Sequence, residues 1–317
     1  MTSSSNTNGR AYEYIFLMSL AQEISRHRTV EVIENSSYNA ALSAWESIED
    51  DFQEVLTISA MAAMETIFEA EPLIIEPTDD VLTLEIQDDG RGEVGDVRDI
   101  VVTREDIEWE IGLSLKHNHF AVKHSRLGKG LDFGEKWFNL PCSQLYWDEI
   151  KPIFDYLTEE KEAGKRWREL PDKDSDVYIP LLKAFVDEVK RSYELDATMP
   201  KKMVEYLLGH YDFYKVISID RQEITRIQAY NLRGTLNKPS SQSEPTIYIP
   251  EATLPTRLVD ISIKPGSTNR VEMYLDGGWQ FSFRIHNASS KVETSLKFDV
   301  EILGMPTSII TINCIWR

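Results

Sequence analysis

The 317 residues, 42% hydrophobic and 27% charged, suit one large globular domain or two modest ones with ample core. The net charge of −19 argues against a nucleic-acid partner only until it is located: residues 31–90 hold sixteen acids and no Lys or Arg, while the other 257 residues hold 34 basic and 37 acidic side chains, and it is a local basic face that binds a polyanion. No apolar run reaches the about 20 residues of a membrane span, and two distant cysteines, Cys142 and Cys314, argue against a disulfide scaffold or a thiolate zinc site and make a reducing cytoplasm the expectation.

Residues 1–9 are polar, and Asn8-Gly9 leads into a helical pattern from Arg10 to about Ile24 with Tyr12, Ile15, Phe16 and Leu20 on one face. Glu13, Gln22 and Glu23 make this stretch a helix rather than a signal peptide. A longer helical pattern runs from about Ser37 to Phe68, where Leu42, Trp45, Ile48, Phe52, Leu56, Ala60, Ala63 and Ile67 recur at three- and four-residue steps, and Pro72 and Pro77 close it. Strands are predicted at 81–87, before the turn Asp88-Asp89-Gly90, then at about 97–103 and 107–117. Residues 143–209 read mainly as helix, with a last short helix opened by Pro200 and ended by Gly209. The strand at 213–220 returns to the core sheet, 238–245 is a Ser/Pro-rich loop, and strands follow near 246–249, 258–264, 270–275, 279–286, 295–303 and 308–316. The fold class is thus α+β or α/β. Its expected segments are N-terminal helices with core strands (1–140), a helical insertion (141–210) and a β-rich region (211–317) that completes the core.

Asp99 opens the apolar run Ile100-Val101-Val102, an expensive place for an unpaired carboxylate; Asp96, in the turn-like Gly95-Asp96 entry, is its rival. Lys116 ends a strand on which Glu110, Gly112, Ser114 and Lys116 share one face. If the two strands pair as a hairpin, Asp99 and Lys116 meet, an arrangement suited to metal-assisted attack of water on phosphate. A second metal-binding acid two residues before the lysine would lie about 7 Å from it, but that residue is Ser114. Glu110 is roughly 20 Å away unless the strand bulges. A helix acid is the natural substitute, Glu13 first and Glu65 second, although Glu13 also reads as an exposed glutamate complementing a helix dipole.

From Leu115 to Lys136 five Lys/Arg stand against Asp132 and Glu135. Within this run Lys123, His124 and Arg126 read as a phosphate-contacting helix or, more plainly, a solvated one; no cysteine accompanies the histidines to make a zinc cluster. In Ser282–Ser289, Phe281, Phe283 and Ile285 alternate with Ser282, Arg284 and His286. Arg284 can read guanine, Asn287 can pair with adenine or hold a phosphate, and Lys297 on the following strand can join them; ordinary strand polarity explains the pattern equally well.

NGRAYEY (8–14), GDVRDIVV (95–102), EIGLSLKHNHFAVKHSRLG (110–128), YDFYKVISID (211–220) and WQFSFRIHNASSKVETSLKFD (279–299), in that order, resemble the type II restriction endonucleases of the HaeIII kind across nearly the whole chain. The resemblance implies a PD-(D/E)XK nuclease core, a helix plus a mixed β-sheet, with a helical insertion and a β-rich C-terminal region. It implies Mg²⁺-dependent double-strand cleavage at the palindrome GGCC and a companion cytosine methyltransferase; the two-fold site in turn favours a homodimer, with a monomer acting twice as the alternative. Asp99 matches the first metal-binding acid and Lys116 the motif lysine; Ser114 departs from the pattern, so Glu13 takes the second metal position provisionally. A repair nuclease of the same fold and a DNA-binding protein without catalysis are the alternatives.

Overall fold

The computed structural model describes residues 4–88, 90, 95–119 and 121–317; Asp89 of the expected turn and Phe120 of the central motif lie outside them. In chain order the first elements are α1 (Ser4–Ile24), β1 (Val30–Ile33), α2 (Ser36–Glu46), α3 (Asp50–Ala70), β2 (Leu82–Ile86), β3 (Ile100–Arg104), β4 (Trp109–His117), β5 (Ala121–Gly128) and α4 (Phe133–Phe138). Then come α5 (Gln144–Glu162), α6 (Ile179–Leu195), α7 (Met199–Leu208), β6 (Phe213–Ile219), β7 (Ile224–Tyr230), β8 (Leu258–Ile263), β9 (Arg270–Leu275), β10 (Gln280–His286), β11 (Ser295–Gly304) and β12 (Thr311–Ile315). None of the described helices is long and apolar enough to cross a membrane.

The chain forms two compact units: Met1–Phe120, Gly209–Thr253 and Thr307–Arg317 make one, Ala121–Leu208 and Leu254–Pro306 the other. The division runs elsewhere than at 140 and 210, because the second unit enters the chain twice, between β4 and β6 and between β7 and β12. Helices α5–α7 therefore belong with β8–β11, and only β6, β7 and β12 of the C-terminal strands return to the first unit.

The first unit is a mixed α+β structure built on a seven-stranded sheet of order β1-β2-β3-β4-β6-β7-β12. The pairs β1–β2 and β4–β6 are parallel and the others antiparallel. Alternation along β4 sends Leu113 and Leu115 into a core shared with Tyr214 and Val216 of β6, Phe16, Leu17 and Leu20 of α1, and Leu56, Ala60 and Ala63 of α3. The opposite face of β4 carries Ser114 and Lys116.

The predicted single helix from Ser37 to Phe68 is two. Ser47 donates its hydroxyl to Ala44 O at 2.8 Å, and the Gln53 amide reaches Trp45 O at 2.9 Å, so side chains satisfy the last carbonyls of α2. Asp50 and Asp51 then start α3, where acids suit the positive helix end. The apolar stripe continues across the break, which is why periodicity alone joins them. The strand expected at 246–249 does not form. The Asn237 side chain donates to Ile247 O at 2.8 Å and accepts from Ile249 N–H at 2.9 Å, replacing a strand partner.

The second unit holds an antiparallel sheet of order β5-β11-β10-β9-β8. The segment read as a helix around Lys123, His124 and Arg126 is strand β5, paired to β11 with Leu127 opposite Leu296. One face of this sheet is aromatic: Phe283 stacks on Trp137 of α4 at 6.0 Å, and Phe298 meets Phe185 of α6 edge-on at 4.9 Å. The other face is polar.

Candidate active site

β3 and β4 pair as the expected hairpin, Ile100 opposite Leu113, and Asp99 N–H donates to Leu113 O at 2.8 Å. The start of β3 therefore lies beside the end of β4. There the Lys116 ammonium meets Asp99 Oδ2 at 2.9 Å. Leu115 N–H at 2.6 Å and the Ser114 hydroxyl at 3.2 Å donate to the same oxygen. Among the described residues all three donors are on Oδ2 and none on Oδ1. The Lys116 and Asp99 side chains keep 28% and 23% of their surface, so the pair opens to solvent with one carboxylate oxygen to spare.

Glu13, half-buried on α1, joins this pair electrostatically. Burial works against the Lys116 charge, but the touching Asp99 carboxylate and the Glu13 charge outweigh it and hold the ammonium above its ordinary pKa of 10.5. The other acids are placed elsewhere. Arg98 donates through Nε and Nη2 to Asp96, both at 2.8 Å, and through Nη1 to Glu110 at 2.8 Å. Its side chain lies across Gly112, where a Cβ would come within 1.9 Å of Arg98 Cδ, so only glycine lets the arginine take both rivals. Glu110 is thereby removed as a second ligand. Glu65 is exposed beside Thr66, whose hydroxyl meets Cys314 Sγ at 3.3 Å in β12, with β6 and β7 between that edge and β4.

No group of three or more His, Cys, Asp or Glu among the described residues is arranged to hold a metal ion. What exists is the Asp99 carboxylate on the Lys116 ammonium, with the charge of Glu13 felt at the same ammonium, and carboxylate oxygens are hard donors. Magnesium retains waters and takes substrate phosphate as ligands, so it needs no more than one or two carboxylates from protein. Asp99 with its spare oxygen, and Glu13, fit that demand.

The basic run divides. Asn118 donates to Asp220 Oδ2 at 2.8 Å, and His117 Nε2 lies 2.8 Å from the same atom, so both fasten the end of β4. Lys123 points to the aromatic side of its sheet, its ammonium 3.7 Å over the Tyr206 ring and bonded to Tyr206 O at 2.7 Å. It is not presented with His124 and Arg126, which face the other way because strand neighbours alternate. Burial first, and the Lys136 charge second, push the Lys123 pKa down to about 8. Between that value and 10.5 the unfolded chain binds a proton that the folded one does not, so stability rises with pH across this window. Lys123→Met is expected to abolish that rise in a denaturation series.

On the polar face His124 and Arg126 of β5 stand opposite Asp299 and Lys297 of β11, and Arg284 of β10 stands opposite Asp299. Arg126 is 37% exposed and holds Ser295 and Glu293. Asn287 lies in a turn, where its amide nitrogen donates to Ser289 O and, at 2.8 Å, to Lys291 O. Asp299, Arg98 and Asp220 were not singled out by sequence, although the period of two places Asp299 on one face with Lys297.

The sequence model of the HaeIII restriction endonuclease family matches residues 9–306. The type II restriction enzyme HaeIII of Haemophilus aegyptius is 52% identical over 318 aligned positions, covering 100% of both chains. No solved structure matches.

Proposed function

The chain belongs to the HaeIII restriction endonuclease family, and from that premise we propose that Asp99, Lys116 and Glu13 form its cutting site. It is a type II restriction enzyme, a site-specific endonuclease acting on DNA. The observation that carries the assignment is the 2.9 Å contact between Lys116 and Asp99 where two neighbouring strands end. We assign the core to the PD-(D/E)XK class, with the second acid delivered from α1 instead of from position 114.

Asp99 and Glu13 would hold Mg²⁺, which when bound would neutralise phosphate charge and acidify a water. The chain's own residues do the rest. Leu115 N–H, the Ser114 hydroxyl and Lys116 fix Asp99 by one oxygen and turn the other outward. Lys116 offers its ammonium to a nonbridging phosphate oxygen, where charge grows as water adds to phosphorus. The P–O3′ bond breaks as the water oxygen bonds to phosphorus; the water's proton passes to solvent and O3′ takes one up from solvent, leaving a 5′-phosphate and a 3′-hydroxyl. Glu13 keeps Lys116 charged and brings the second carboxylate. Glu13→Gln is expected to slow single-turnover cleavage on the order of 100-fold, whereas Glu65→Gln leaves it unchanged. The reverse ranking would move the second acid to α3.

The target is GGCC. Arg284 reads a guanine edge, and His124, Arg126 and Lys297 on the same face contact phosphate. A palindrome read by two copies favours a homodimer, and a cytosine methyltransferase acting on the same site in the cytoplasm protects the host. Digesting one mapped DNA and sequencing the ends tests the target. Cuts confined to GGCC support it; cuts at another sequence overturn the target while leaving the nuclease site untouched.

A further inference from the structure

On the polar face of the five-stranded sheet one carboxylate organises three donors. Asp299 keeps only 10% of its side-chain surface, and both its oxygens are engaged. Nδ1 of His124 lies 2.6 Å from Oδ1, while Nη2 of Arg284 at 3.0 Å and Nε2 of His286 at 2.8 Å lie on Oδ2. His286 is tied at its other nitrogen too, with Nδ1 at 3.1 Å from Asn287 O. The apolar core of the unit lies on the opposite face, so the cluster is not needed to fill it. Arg284 remains 42% exposed as a side chain, although its Nε is itself buried and has no hydrogen-bond partner, so the exposed part is the Nη end.

We propose that Asp299 is a positioning residue for sequence reading. By holding one Nη2 hydrogen it fixes the plane in which Arg284 presents the remaining hydrogens of Nη1 and Nη2, the requirement for a two-bond contact to O6 and N7 of guanine in the major groove. The two histidines lock Asp299 in turn. Asp299 is itself buried and its oxygens are already met by donors, so it does not accept from a base. A phosphate contact needs charge more than direction, and a carboxylate beside the arginine weakens that charge. The arrangement therefore favours a base edge. This inference rests on the reading of Arg284 as a guanine contact.

The test measures binding of the full-length protein, with Ca²⁺ in place of the cutting cation, to a GGCC duplex and to the same duplex with 7-deazaguanine at each guanine in turn. Wild type is expected to lose on the order of 10-fold in affinity at one guanine, the loss of a single base contact. Asp299→Asn is expected to bind the natural site about as weakly as wild type binds that substituted duplex, and to lose nothing further on substitution. Its affinity for a duplex without GGCC stays at the wild-type value at a temperature where it is folded, while its thermal unfolding temperature falls, because the charge that answered Arg284 and the two histidines is gone. Arg284→Lys, which keeps the charge but not the planar fork, behaves the same way and decides the matter if Asp299→Asn fails to fold. The inference falls if Asp299→Asn, or Arg284→Lys in its place, keeps wild-type discrimination while Arg284→Ala loses it. It falls equally if the losses are uniform across sequences. If Arg284→Ala itself keeps discrimination, the guanine reading of Arg284 fails first.

Discussion

Asp99→Ala is expected to lose at least about a thousand-fold in cleavage rate while still binding its site. In the proposed site the side chain has two tasks on two different oxygens: Oδ2 is fixed by Leu115 N–H, Ser114 and Lys116, and Oδ1 would take the cation. Alanine removes both the ligand and the partner that keeps Lys116 in place. The fold should survive, because Asp99 is part-exposed and its neighbours Ile100 and Val102 supply the burial at this end of β3. Gel-shift binding with Ca²⁺ and plasmid cutting with Mg²⁺ separate the two effects; a variant that still cuts at the wild-type rate would remove Asp99 from the site.

Lys116→Met is expected to cost about 100- to 1,000-fold, the usual range for deleting one group that meets charge developing in the transition state. Methionine keeps the stem, so the loss reports the ammonium. The pH dependence follows from the direction of the shift. The pKa is raised above 10.5 by Asp99 and Glu13 against burial, so the favourable charge is fully present below 10.5 and fades only as pH climbs through the higher folded value. The rate profile of wild type should therefore show no falling limb below 10.5 that Lys116→Met abolishes. A limb near neutrality that vanishes in this variant would mean that Lys116 acts as a proton donor or acceptor instead.

The hairpin and its Asp99–Lys116 pair were legible because residue type, strand length and the period of two together leave few ways for two strand ends to meet. Ser114 stands where the expected pattern has an acid, and the charge of Glu13 on α1 is felt at Lys116. Other features lay beyond reach. Whether Lys123 joins His124 and Arg126 depends on whether residues 121–128 are helix or strand, and a basic run has the same composition in both. Arg98 looks like any surface arginine until Gly112 lets it lie over β4 and take Asp96 and Glu110 together. The two units interleave, and adjacency along the chain gives no sign that β5 will pair with β11, far downstream.

Asp99 and Lys116 are held to act as one device, and single-turnover cleavage of a GGCC duplex by Asp99→Asn, Lys116→Met and the double variant tests that most directly. Groups that act as a unit lose their effects together. The double variant should therefore be no slower than the slower single one. Losses that multiply, as for two independent sites, would contradict the account.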